Sequence, residues 1–449
     1  MSPRLRRLGL ALAACGLFSG AAADTEVSVA DAGRDAYSQP FPGLTEAERD
    51  HFFRGRSLFR QSWVVSPAKD TEVDGLGPLY NRLACISCHA RNGRGFAPDR
   101  PGERMQTMLL RLSVPGIGAH GGPLPHPAYG DQFNEEGIPG VPGEGRAETA
   151  WTETEVVLPG GETVMLRQPA FTFSELAYGP IEPVLVSARI GQPVFGMGLL
   201  DAVSAEELER MAAEAKPDGV GGRVNRVWDA AAGRAMAGRL GYKANMPNLR
   251  QQIAGAMLGD LGITSPLFGA QNCTPAQAAC RQAPDGGHPE LTGAQLDDME
   301  FYLAHLAAPE RRRVDDPRVR QGERLFAAIG CTACHRPLVV TGEHPKFPRL
   351  AHRAIAPYSD LLLHDMGEGL ADRRPDYLAN GREWRTAPLW GIGLAELIGE
   401  RVGYLHDGRA RSLLEAVLWH GGEAAPAQAR FSTLPAPERS ALLAFLASL

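Results

Sequence analysis

Cys85-Ile86-Ser87-Cys88-His89 and Cys331-Thr332-Ala333-Cys334-His335 are two copies of one pattern, C-x-x-C-H, set far apart in a chain of 449 residues. In this pattern the two thiols add to the vinyl groups of a haem as thioethers. The histidine that follows is carried beneath the iron as its proximal ligand. A structural zinc site made from two CxxC pairs has no need of a histidine directly after the second cysteine, twice over, and a redox dithiol expects a thioredoxin-like context that the flanking sequence lacks. The two motifs therefore point to two covalent c-type haems, one on Cys85, Cys88 and His89 and the other on Cys331, Cys334 and His335.

The segments around the motifs echo each other. FFRGRSLFRQ, with Gly55, Leu58 and Phe59, precedes the first; VRQGERLFAA, with Gly322, Leu325 and Phe326, precedes the second. LTGAQLDDMEFYLAHLA (residues 291–307) follows the first, with Leu296, Met299, Leu303 and Leu306 at helical spacing, and PAPERSALLAFLASL closes the chain in the same manner. Each motif is thus framed by an opening and a closing helix, as in cytochrome c, where a glycine in the opening helix lets the two backbones cross closely. Core packing alone also produces such stripes, but the repeated order argues for two related domains.

The expected fold is mainly α, with two cytochrome c-like haem domains. A leader covers residues 1–23, an N-terminal haem domain 24–312 and a C-terminal one 313–449, with the boundary in the charged segment PERRRVDDP. The N-terminal domain is enlarged by a long loop-rich insertion between its haem motif and its closing helix. That insertion is rich in Gly and Pro and carries some β-strand, read from ETEVVL beside the polar turn PGGE.

Composition limits the function classes. Gly (52) and Pro (35) are abundant, yet 44% of residues are hydrophobic, which describes a loop-rich globular chain and not a disordered one. A net charge of -6 offers no attraction to phosphate backbones, and nucleic acid is excluded as a partner. Arg4, Arg6 and Arg7, the apolar run Leu8 to Leu17 and Ala21-Ala22-Ala23 form a secretory signal peptide, so the expected location is the periplasm. Leu12-Ala13-Ala14-Cys15 resembles a lipobox, and membrane association is expected only if Cys15 is lipidated. Of the remaining cysteines, Cys273 and Cys280 in QNCTPAQAACRQ suit a loop-closing disulfide in an oxidising compartment.

A haem held only by its proximal histidine has an open position, and whether that position is filled separates electron transfer from chemistry. For the second haem, YSDLLLHDMGEGLAD offers Met366, whose thioether would raise the iron's potential, with His364 and His352 as alternatives. For the first haem, Met105, Met108, His120 and His126 are all available and none stands out, which leaves a weakly held or open site. Peroxide cleavage there needs a side chain that moves a proton between the two oxygens, and Gln132 in YGDQF and Glu175 in FTFSELAYGP are the candidates from the insertion. Trp384, Trp390 and Trp419 are candidates to relay electrons or hold a transient radical, against the commoner role of packing. His406 and His420 suit hydrogen bonds to a propionate or a carbonyl.

Over nearly its whole length the sequence resembles the bacterial di-haem oxidoreductase (putative peroxidase) family, related to di-haem cytochrome c peroxidases and to the enzyme that matures tryptophan tryptophylquinone. CISCHARNGRG, VFGMGLLDAV, GRVNRVWD, YKANMPNLRQQIAGAMLGDLGITSPLF, YSDLLLHDMGEGLAD, GREWRTAPLWGIG and YLHDGRARSLLEAVLWHGGEA carry the resemblance. It implies an enzyme that takes electrons from a small periplasmic donor, a cytochrome c or a cupredoxin, at the second haem and reduces peroxide at the first. Oxidation of an organic or protein substrate, or plain electron transfer, are the alternatives. The sequence departs from many such peroxidases where Arg382, Glu383 and Trp384 replace a ligating methionine, which gives Met366 more weight. Relatives can hold calcium between domains, but no loop here has a readable oxygen-ligand spacing.

Overall fold

The computed structural model of the chain describes residues 23–449. Apart from Ala23, the leader and its Cys15 lie outside the described residues.

Helix α1 (Glu46–Arg60) opens on a capping box, in which the Thr45 hydroxyl accepts from the Glu48 N–H and the Glu48 carboxylate accepts from the Thr45 N–H. Strand β1 (Met108–Ile117) begins the insertion. It continues through a long hairpin, β2 (Arg146–Val157) and β3 (Thr163–Ser174), and returns as β4 (Leu185–Ile190), which pairs antiparallel with β1. Helix α2 (Leu249–Leu261) leaves the insertion, and α3 (Gly293–Ala304), with a second capping box at Thr292 and Gln295, closes the first half. In the second half α4 (Pro317–Ala328) starts behind the Asp316 cap. Strands β5 (Leu363–Asp365) and β6 (Glu383–Arg385) pair antiparallel, and α5 (Leu413–Leu418) and α6 (Ala436–Leu446) complete the chain.

The two framing helix pairs are built alike. A Cβ on Gly55 of α1 would lie 1.9 Å from the Asp298 carbonyl oxygen of α3, and one on Gly322 of α4 would lie 2.0 Å from the Ala441 carbonyl oxygen of α6. Only a residue without a side chain permits either crossing. The aromatic residue after each glycine holds the same station beneath its motif, with ring centroids 6.2 Å apart for Phe59–His89 and also for Phe326–His335.

The expectation of a mainly α, cytochrome c-like fold is overturned: the chain is 30% helix and 19% strand, with the strands spread over many small sheets. The cause is the insertion, whose β-branched and aromatic residues pair over long stretches. Turn Leu158–Glu162 joins β2 to β3, with Gly160 (φ +94°) and Gly161 (φ +81°) in the left-handed region that the tight turn requires. The hairpin tip does not stay with the first half. Leu158, Val164 and Leu166 pack into the same apolar cluster as Phe326, Phe431 and Phe445, and buried Arg439 of α6 donates to the Glu162 carboxylate (2.7 Å) and the Pro159 carbonyl (3.2 Å). The insertion thus buttresses the second motif as well as the first. No helix among the described residues is long and apolar enough to cross a membrane.

Candidate functional site

Each C-x-x-C-H motif folds into a tight turn that points its histidine into a cavity. At the first, the Cys85 carbonyl accepts from the Cys88 N–H (3.1 Å) and the His89 N–H (3.0 Å). His89 Nδ1 donates to the Gln192 carbonyl at 2.6 Å, just beyond β4, which leaves its Nε2 lone pair aimed into the cavity. At the second, the Cys331 carbonyl accepts from the His335 N–H (2.9 Å) and His335 Nδ1 donates to the Tyr358 carbonyl at 2.9 Å. Burial holds His89 below its ordinary value and takes His335 down to about 4, so both imidazoles are neutral and able to ligate.

The cavities have nearly equal volumes, about 210 and 200 Å³, and apolar walls. α2 lays one face along the first, with Ile253, Ala256, Met257, Asp260 and Leu261 at helical spacing, opposite Phe59 and the α3 residues Met299 and Leu303. Asp260 is the carboxylate on that face. Burial raises its pKa above the ordinary range, only partly countered by the Arg111 charge and by a hydrogen bond from Gln132. Among the described residues that line this cavity, His89 is the one histidine.

The second cavity is bounded by His335, Phe326, Met366, Trp384, His406 and His420 among others. His420 follows α5 and faces His335, with ring centroids 6.3 Å apart and planes inclined at 49°; its Nδ1 donates to the Ala416 carbonyl at 2.7 Å.

Arg94, Tyr242, Arg385, Ala387 and Pro388 border both cavities and form the wall between them. Arg385 is deeply buried, its pKa pushed down to about 10 by desolvation; its Nε has no hydrogen-bond partner, its other nitrogens donate to the Arg239 carbonyl (3.2 Å) and Gln192 Oε1 (2.9 Å), Arg94 donates to the Gly403 carbonyl (3.0 Å), and among the described residues no carboxylate pairs with either. Two arginines without a carboxylate partner in such a wall suit the propionates of a haem, and the twin apolar cavities with paired thiols and a free Nε2 suit its ring. The residues present therefore fit two haems.

Trp384 sits on β6 between two side chains. The His406 ring stacks on one face (centroids 3.7 Å apart), and Lys243 Nζ lies 4.4 Å from its ring centre. Lys243, with no exposed surface, is bonded to Asp372 (2.7 Å) and to the Arg374 and Asn380 carbonyls, and burial lowers its pKa to about 8. Trp390 borders the first cavity, while Trp419 packs under the Arg409 guanidinium.

Two residues expected to be catalytic border neither cavity. Glu175 is largely exposed on the far end of the hairpin, just past β3, and reaches neither cavity. Gln132 is buried but does not border the cavity either; its Nε2 donates to Asn81 Oδ1 (2.6 Å), the Gly259 carbonyl (2.8 Å) and Asp260 Oδ1 (2.9 Å). It is thus bonded to the cavity carboxylate of Asp260. Nor do Met105, Met108, His120 or His126 line the first cavity; His120 stacks on Trp228, and His126 Nδ1 accepts from the Ala128 and Tyr129 N–H groups.

Around the second motif, His364 has both nitrogens engaged, Nε2 with Asp360 (3.0 Å) and Nδ1 with Glu423 (2.8 Å), which leaves neither free for a metal. His352 is exposed and paired with Glu343. Met366 remains on the cavity wall, as does His420. The structure also joins Cys273 to Cys280 as a disulfide. The sequence reading missed Asp260, although a lone carboxylate at i+7 from Ile253 on an otherwise apolar helix face was the available signal.

Two equal cavities, each closed by two cysteines and a histidine and divided by an arginine-bearing wall, define a protein made to hold a pair of haems. The chain matches the family described as "Di-haem oxidoreductase, putative peroxidase" over residues 18–449, and it belongs to that family. It is an oxidoreductase with haem cofactors. Among solved structures, hydrazine synthase of Kuenenia stuttgartiensis is similar at a TM-score of 0.34 and 14% identity, covering 100% of each chain. No curated protein matches the sequence.

Proposed function

We propose that the protein reduces peroxide in the first cavity with electrons that arrive through the second. The observation that carries this reading is Asp260, a carboxylic acid of raised pKa on the wall of the cavity into which His89 points. The haems are held by thioether bonds to Cys85 and Cys88 and to Cys331 and Cys334, with His89 and His335 as proximal ligands. A haem bound at His89 supplies the electrons and the Lewis-acidic centre for reductive cleavage of the O–O bond. Converting hydrogen peroxide to two waters takes two electrons and two protons, and the chain must deliver the protons.

Asp260 is suited to that task because its environment keeps a proton at higher pH than an exposed carboxyl would. Gln132, anchored to Asn81 and the Gly259 carbonyl, holds the carboxyl toward the cavity. The shared wall around Tyr242 and Arg385 offers the short route between the two sites. Thioether attachment takes place outside the cytoplasm, in keeping with the leader, so the donor is a small periplasmic cytochrome c or cupredoxin.

The test is steady-state peroxide consumption by the purified di-haem protein with a reduced cytochrome as donor. Turnover is expected, and Asp260→Asn should lower kcat by about 10²- to 10⁴-fold with the visible spectrum retained. Full activity in that variant would refute the assignment of Asp260; no peroxide turnover by the intact protein would refute peroxide as the substrate.

A further inference from the structure

We infer that His420 is the second axial ligand at the site of His335, which makes the second haem a bis-histidine centre. The inference rests on the reading above that a haem occupies this cavity, and it concerns which side chain completes the iron.

The geometry between the two rings carries it. A metal–imidazole nitrogen bond is about 2 Å long, which puts a ring centroid roughly 3 Å from the metal, so two imidazoles on opposite faces of one metal stand roughly 6 Å apart. The centroids of His335 and His420 are 6.3 Å apart, with both rings on the wall of the same cavity. Rings stacked face to face in this protein come closer, as His406 does on Trp384 at 3.7 Å and Phe301 on His305 at 4.0 Å, whereas tilted pairs such as Phe326–His335 also stand 6.2 Å apart; the spacing therefore counts here together with the Nε2 that each imidazole turns to the cavity. The separation of His335 and His420 is one that an atom between them would fill.

Their hydrogen bonds agree. Each ring donates its Nδ1–H to a backbone carbonyl, His335 to Tyr358 (2.9 Å) and His420 to Ala416 (2.7 Å). That fixes the tautomer in which Nε2 carries the lone pair, and a carbonyl partner on the far nitrogen is the usual support of a metal-bound histidine. Among the described residues no other polar atom bonds to either Nε2. The competing imidazoles are committed elsewhere: His364 is clamped by Asp360 and Glu423, and His406 lies flat on Trp384 with Nε2 toward Asp407 at 3.4 Å. Met366 borders the same cavity and is the one competitor left.

The consequence is functional. With both axial positions taken by imidazoles and neither by a methionine, the site transfers electrons at a lower potential than a His/Met haem would. The first cavity has no second imidazole on its wall, and the two sites therefore divide into an electron-transfer centre and a centre that admits a substrate.

The test uses the purified holoprotein, its haem content measured first by alkaline pyridine difference spectra. Two haems per chain are required; fewer would refute the underlying haem reading and not the ligand assignment. Electron paramagnetic resonance of the oxidised wild type should show a low-spin bis-imidazole signal from the second haem, with no sulfur-to-iron charge-transfer band in the visible to near-infrared spectrum. His420→Ala should turn one of the two haems high-spin, and free imidazole should restore the low-spin signal. His420→Met should raise the potential of that haem in a redox titration, while Met366→Leu should leave the spectrum unchanged. A sulfur-to-iron band in the wild type that disappears in Met366→Leu would overturn the proposal, as would an unaltered spectrum in His420→Ala. Should His420→Ala fail to fold, the wild-type spectrum and Met366→Leu still decide.

Discussion

Replacing Gly322 by alanine tests whether the crossing of α4 and α6 sets the framework beneath the second motif. The added Cβ would lie 2.0 Å from the Ala441 carbonyl oxygen, 2.6 Å from its carbon and 2.8 Å from Phe445 Cβ, where ordinary contact begins at 3.4 Å. The opposing atoms are mostly backbone of a packed helix and cannot swing aside, so the pair must part by roughly 1 Å or more, at an overpacking cost of about 1–3 kcal/mol. Alanine's better helix propensity returns up to about 1 kcal/mol. A net loss of about 1–2 kcal/mol is expected, or roughly 1–2 °C in melting temperature for a protein of 449 residues. The control is Gly255→Ala in α2, where the nearest atom is the Met246 methyl at 3.3 Å, the end of a flexible side chain. That variant should be neutral or slightly stabilised. Thermal melts followed by circular dichroism and by haem absorbance read both variants. If Gly322→Ala melts no lower than Gly255→Ala, the close crossing is not what holds the helices, and the argument from the glycine fails.

Two further outcomes follow from the surroundings of the sites. Hydrogen bonds with Asp360, Cys334 and Glu423 outweigh the desolvation of buried His364 and raise its pKa from 6.5 to about 12. A base whose folded pKa is raised lends stability that is full below pH 6.5 and declines as pH climbs toward the folded value, so His364→Gln should be most destabilised near pH 6 and less so at pH 9. Urea midpoints across that range check it, and a gap independent of pH would refute the charged clamp. The double change Cys273→Ser and Cys280→Ser opens a loop of sequence separation 7, which by the loop-entropy argument removes about 2–3 kcal/mol. Wild type unfolded with and without reductant should reproduce that loss, and equal midpoints would show the bond to be absent or without effect.

What the sequence revealed was local or repeated. The C-x-x-C-H motifs, the G-x-x-L-F echo at Gly55 and Gly322, the turn at Pro159-Gly160-Gly161-Glu162 and the pairing of Cys273 with Cys280 each lie within a short window, and short windows are what periodicity and turn chemistry report. The β content was underestimated because residues 146–174 form strands only through pairing with each other and through packing on Phe326 and Phe445, more than 100 residues away along the chain. The choice of Gln132 and Glu175 failed for a related reason. Both were chosen as polar residues within the insertion, yet the insertion points one into the protein and the other into solvent. Gln132 is nonetheless one hydrogen bond from Asp260, the acid of the proposed reaction.

The repeat itself cannot explain why the two sites should differ. Opening helix, glycine crossing, aromatic residue and motif histidine are matched so closely that the 6.2 Å ring spacing recurs. The difference enters through segments that have no counterpart in the other half. α2, at the end of the insertion, presents Asp260 to one cavity, and the turn after α5 presents His420 to the other. On the proposed reading, chemistry and electron supply are therefore separable by mutation. Altering α2 at Asp260 should change peroxide turnover without moving the second haem's potential, and altering His420 should move that potential while Asp260 still governs the pH dependence of turnover. A common framework with private additions lets each site be tuned alone, and it locates the decisive residues in the parts of the chain that a search for internal symmetry passes over.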